Sequence, residues 1–204
     1  MFKKFVVFAA ATLLAGCTSL MASATGPGPV GKSAGERTLS MSIEDSSIER
    51  TAGINIYKAN TKFREANVNV VSFYGSVLLA GQVQNEELKA QAEKVVRQIA
   101  EVKQVHNELV IADASYYMER SSDGIISTRI RTALTFEKAF PSSRTKIFTV
   151  GGTVYLLGKL NAGEADQAVA IIKQVAGVKK IVKLVDYLPA PAPTPPTTSN
   201  TVSG

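Results

Sequence analysis

The chain has 204 residues, 45% of them hydrophobic, and 23 lysines and arginines stand against 17 aspartates and glutamates for a net charge of +6. That length accommodates one medium domain or two small ones. A single cysteine, Cys17, and a single histidine, His106, exclude an intramolecular disulfide and a zinc site built from cysteine and histidine.

The chain opens with Lys3 and Lys4, followed by the apolar run 5–15. A stable membrane-spanning helix needs roughly 20 apolar residues, so this run is too short. A basic start and a short apolar stretch together read as a secretory signal over residues 1–16. The run ends in Leu14-Ala15-Gly16-Cys17, which resembles the bacterial lipobox. That resemblance implies cleavage before Cys17 and acylation of its thiol, and each buried methylene of an acyl chain contributes about 0.8 kcal/mol to membrane anchoring. Thr18 follows in place of aspartate. By similarity to lipoprotein sorting, this implies the periplasmic face of the outer membrane in a Gram-negative envelope. Residues 17–45 are rich in small residues, glycine and proline and are expected to form a flexible lipidated tether.

From residue 46 the periodicities become regular. Ile48, Ala52, Ile54 and Ile56 suggest a first helix, weakened by Gly53, which costs about 1 kcal/mol relative to alanine. Val68, Val70 and Phe73, then Val77, Leu79 and Val83, give two strands around Gly75. Leu88, Ala92, Val95, Val96 and Ile99 form the stripe of a second helix, with Glu86 and Glu87 at its start, where carboxylates favour the helix dipole. Val105, Leu109 and Ile111 close the unit as a third strand.

The pattern then recurs. Gly75–Gly81 matches Gly152–Gly158 at an offset of 77 residues, and 95–102 matches 171–178 at an offset of 76. The slip of one falls in the intervening loop, where changes in length are tolerated. In the second copy Ile126, Ile130, Ala133 and Leu134 define the first helix, with Asp123 as its expected N-cap and Pro141 stopping continuation. The Gly151-Gly152 pair suits a two-residue hairpin turn. Gly81 and Gly158 lie inside strands, where glycine marks a bulge or a close backbone approach. Asn161 and Glu164 read as a capping box. The expected divisions are a first domain at 46–114, a linker at 115–122, a second domain at 123–188 and a disordered, uncharged proline-rich tail at 189–204. Each domain is αββαβ, with two helices on one face of a three-stranded mixed sheet, an α+β fold.

The motif Val-x-Leu-x-Gly, an amphipathic helix, and then Val102 to Val105 or Val178 to Ile181 resembles the BON domain. Two such domains behind a lipobox are similar to the dual-BON outer-membrane lipoproteins. The first copy departs from the pattern in carrying Glu101 where the second has Gly177.

Chemistry-bearing motifs are sparse. His106 has no second histidine or cysteine to complete a metal site, no Gly-x-Ser-x-Gly elbow occurs, and the glycine pair lacks the context of a phosphate-binding loop. A non-enzymatic protein without cofactor or metal is therefore expected. Charge is uneven: 46–113 carries eight basic and eight acidic residues, whereas 123–188 carries ten and five. In an exported protein such a basic domain points to anionic lipid rather than nucleic acid. Ile125, Arg129, Thr132 and Phe136 form a second stripe on the first helix of the second copy, roughly 90–100° from its core face at about 100° per residue. With Ile126 and Arg131 they make the candidate lipid-binding set, and Cys17 is the lipidation site. The family resemblance implies the same helix and ligands such as phosphatidylglycerol. Ile125 stands where that family has an exposed aromatic, so interfacial anchoring is weaker. The alternative is a scaffold for envelope assembly or division proteins, acting through the first domain or the surface between domains.

Overall fold

The computed structural model describes residues 37–112, 120–138 and 140–189. The signal, the lipobox with Cys17, most of the tether and nearly all of the proline-rich tail lie outside the described residues.

The element order is αββαβ, twice. The first repeat comprises α1 (Leu39–Ala59), β1 (Asn67–Phe73), β2 (Ser76–Val83), α2 (Glu86–Arg97) and β3 (Gln104–Ile111). The second comprises α3 (Arg120–Phe136), β4 (Thr145–Val150), β5 (Thr153–Leu160), α4 (Ala162–Lys173) and β6 (Lys180–Tyr187). Each sheet has three strands in sequence order. The first pair is an antiparallel hairpin, and the third strand joins parallel to the second. A parallel neighbour requires a crossover, and α2 and α4 supply it. This is the mixed sheet expected from the sequence.

Alternation puts Val77, Leu79 and Val83 of β2 under the helices, where they meet Ile48, Ala52, Leu88 and Val96. Val154, Leu156 and Leu160 of β5 meet Ile126, Ile130, Leu134 and Ile172 in the same way. The intervening residues are apolar too. Val71, Phe73, Leu78 and Ala80 of the first sheet pack with Tyr155 and Leu157 of the second, flanked by Phe148, Val150, Val182 and Leu184. The two sheets therefore stack through their helix-free faces, and the helices form the outer layers. The unbroken apolar run Val77-Leu78-Leu79-Ala80 fits a strand buried on both faces, but the stacking was not anticipated from the sequence. Lys146 Nζ bridges the repeats, 2.6 Å from Glu49 Oε1 and 3.1 Å from the Ser72 carbonyl.

The hairpin turns are held by a device repeated in both copies. Tyr74 and Gly75 have φ of 57° and 78°, and Gly151 and Gly152 have 57° and 77°. Such turns match the twist of the flanking strands. Their amides donate to a helix carboxylate: Tyr74 and Gly75 N–H to Asp45, each at 3.0 Å, and Gly151 and Gly152 N–H to Asp123, at 2.8 and 2.9 Å. Ser72 Oγ donates to Asp45 as well. Two expectations are corrected here. Asp123 is not an N-cap, because α3 starts at Arg120 and its carboxylate is taken by the turn. The folded region starts before residue 46, because α1 begins at Leu39 and Asp45 is only 1% exposed.

The close-approach glycines behave as expected. A Cβ on Gly81, at φ +130°, would stand 1.8 Å from the Asn67 carbonyl oxygen, and one on Gly158 would stand 2.7 Å from that of Arg144. Asn161 and Glu164 form both legs of the capping box.

Candidate functional site

Helix α3 holds the candidate site. Its core side, Ile126, Ile130 and Leu134, is fixed against the second sheet. Ser127 adds a buried bond to Thr149 Oγ1 at 2.8 Å, and Asp123 ties the first turn to the β4–β5 hairpin. The neighbouring stripe is thereby presented to solvent from a fixed helix.

Ile125 is 53% exposed and Phe136 81% exposed. Arg129 and Thr132, between them on the same stripe, are exposed as well. Neither apolar side chain belongs to a hydrophobic core cluster of the described residues. Arg131 is exposed, but its Nη2 donates to the Ile147 carbonyl at 3.3 Å, which tethers it beside β4. Ile126 does not belong to this surface. It is 6% exposed, and its side chain lies against the backbone of Gly177. One residue on from Ile125 is about 100° around the helix, which turns Ile126 into the core. The structure thus brings Ile125, Arg129, Thr132 and Phe136 onto one face, places Arg131 at its margin and removes Ile126.

The electrostatics of this face follow from the same arrangement. Asp123 is the only acid in α3, and its carboxylate is buried among turn amides. The exposed helix therefore carries Arg129 and Arg131 with no exposed carboxylate of its own. Apolar side chains beside unopposed guanidinium groups suit the headgroup layer of a membrane.

Sequence reading missed a polar cleft of about 390 Å³ where the repeats meet, lined by Asn67, Asn69, Gln82, Ser127, Thr128 and Arg131 among others. Asn67 Nδ2 donates to Gln82 Oε1 at 2.7 Å, and Asn69 Nδ2 donates to the Ala80 carbonyl at 3.2 Å and to Asn67 Oδ1 at 3.3 Å. The residues come from separate elements, so no local motif announced them.

His106 is half-buried on β3, with Nε2 3.1 Å from Ser76 Oγ. Burial pushes its pKa below the ordinary value, opposed by the charges of Asp186 and Glu108. Tyr155 is pushed up to about 12, chiefly by burial and further by Glu108. Among the described residues no group of three or more His, Cys, Asp or Glu could hold a metal ion, and no helix is long and apolar enough to cross a membrane.

Comparison with known proteins agrees with this architecture. The BON domain model matches residues 54–113 and 122–189, one match per repeat. The chain is 29% identical to the outer membrane lipoprotein DolP of Haemophilus influenzae, over 91% of this chain and 96% of that protein. It is 28% identical to the 21 kDa hemolysin of Actinobacillus pleuropneumoniae, over 74% of this chain and 78% of that one. With both repeats matched, across more than half of its length, the chain belongs to the BON domain family and carries two such domains in tandem.

Proposed function

We propose that this protein is a non-enzymatic, lipid-anchored component of the outer membrane's periplasmic face, which binds anionic phospholipid through α3 and supports envelope integrity, including at division sites. The observation that carries the reading is the exposed pair Ile125 and Phe136 around Arg129 on a helix without an exposed carboxylate. The likeness to an outer membrane lipoprotein and the lipobox-like Leu14-Ala15-Gly16-Cys17 support the compartment and the anchor. In this reading the acyl chains keep the protein at the membrane, and α3 selects the lipid beneath it.

The test uses the chain from Thr18 onward, which lacks the acylated cysteine, with vesicles of phosphatidylcholine alone or mixed with phosphatidylglycerol. Binding is expected only to the anionic vesicles. Ile125→Glu with Phe136→Glu removes two exposed apolar side chains available to the membrane and adds two charges of the same sign as the lipid, so affinity should fall about tenfold or more. Unchanged binding in that variant would remove α3 as the site. No binding by the parent chain would favour the alternative, a scaffold for envelope proteins.

A further inference from the structure

The duplication provides an internal comparison at the cleft between the second helix and the last strand of each repeat. Helices α2 and α4, and strands β3 and β6, correspond at a constant offset of 76 residues. In the first repeat a carboxylate is hydrogen-bonded across this place. Glu93 Oε1 accepts from Arg97 Nε at 2.9 Å and Nη2 at 2.7 Å, and Glu93 Oε2 accepts from Asn107 Nδ2 at 3.1 Å. Asn107 also donates to the Lys89 carbonyl at 2.9 Å. Charge and hydrogen bonding are satisfied there within the protein.

In the second repeat the three side chains of that network, and the neighbouring Gln104, have changed. Val169 stands for Glu93, Lys173 for Arg97, Lys180 for Gln104 and Lys183 for Asn107. A cleft of about 370 Å³ opens between α4 and β6, with Val169, Val178 and Ile181 in its lining beside Lys173, Lys179, Lys180 and Lys183. That volume lies within the usual range for small-ligand sites. Among the described residues Lys183 lies 3.8 Å from Asp166, and both side chains are exposed, a surface pair of small energetic weight. The substitution that removed the carboxylate therefore did not produce an apolar patch. It left an apolar recess ringed by ammonium groups, which attracts a compact, multiply charged anion.

We propose that this α4–β6 cleft is a binding site for a phosphate-bearing, multiply anionic group, held by Lys173, Lys180 and Lys183 over the Val169–Ile181 floor. It is separate from the α3 face and does not depend on that reading. The same phosphate chemistry could be presented by a phosphomonoester lipid headgroup or by a soluble phosphate compound.

The test titrates inorganic pyrophosphate into the full chain anchored in phosphatidylcholine vesicles, with NMR shifts followed at the lysines. Shifts are expected at Lys173, Lys180 and Lys183, and Lys180→Gln with Lys183→Asn, which restores the first repeat's residues, should weaken binding about tenfold. Ile125→Glu with Phe136→Glu should leave pyrophosphate binding unchanged. If phosphatidic acid in the vesicles competes with pyrophosphate, the source is a lipid headgroup; if it does not, the source is soluble. Absence of shifts at these lysines overturns the proposal. So does an equal loss in Lys58→Gln with Lys62→Gln, which removes the same charge from the first repeat.

Discussion

At the scale of single residues, the strongest constraint is a carboxylate that organises a turn from a distance. Asp45 is buried on α1 and accepts from Ser72 Oγ and from the amides of Tyr74 and Gly75. Both turn residues have positive φ, and Tyr74 lacks glycine's freedom there. Fixed acceptors offset the cost of that conformation. Asp45→Ala would leave three donors without their acceptor, and loss of such a network costs about 2–4 kcal/mol. Asp123 serves the equivalent turn with two donors, and that turn is glycine at both positions. Urea unfolding should therefore show a larger drop in midpoint for Asp45→Ala than for Asp123→Ala. Equal drops would mean that the strained tyrosine is held by its ring packing instead.

At the scale of elements, periodicity made most of the strands, α2 and α4 legible, because each has one apolar face or stripe aimed at a core. The capping box at Asn161 and the glycine positions were legible for the same local reason. Helix α1 was read short because its first turns carry Leu39, Met41 and Ile43 exposed, so no core stripe marks them. Asp45 was passed over because its partners lie 27–30 residues away. On α3 both stripes were legible, and Ile126, read as a core residue but also counted with the lipid-binding set, belongs to the core alone. Strand β3 carries a pH prediction of its own. Burial lowers the pKa of His106 in the folded state, so the unfolded chain binds the extra proton first. Stability is then full above the unfolded value, about 6.5, and declines as pH falls from there toward the depressed folded value. Comparing unfolding at pH 7.5 and 5.5 should show a loss that His106→Gln largely abolishes. The low pKa of Glu93, set mainly by its bonds to Arg97 and Asn107, acts in a separate window below about 4.5 and does not confuse the comparison.

At the scale of the molecule, the two repeats share a core that belongs to neither alone. Each sheet is apolar on both faces, so a single repeat would expose Leu78 and Ala80, or Tyr155 and Leu157, all of which are buried in the stack. The contact is reinforced by Lys146 reaching Glu49 and by Lys159 Nζ lying 4.9 Å from the centre of the Tyr74 ring. A shared apolar face of this kind couples the unfolding of its two halves, because separating them exposes both at about 25 cal/mol per Å². The protein should therefore unfold in urea in one transition, with fluorescence and circular dichroism coincident. Leu157→Lys places an unpaired charge at a position 1% exposed between the sheets while leaving the residues facing α3 and α4 unchanged. It should split unfolding into two transitions, one per repeat. Two transitions in the parent protein would show instead that the stacked sheets contribute little coupling, and that each repeat stands on the core beneath its own helices.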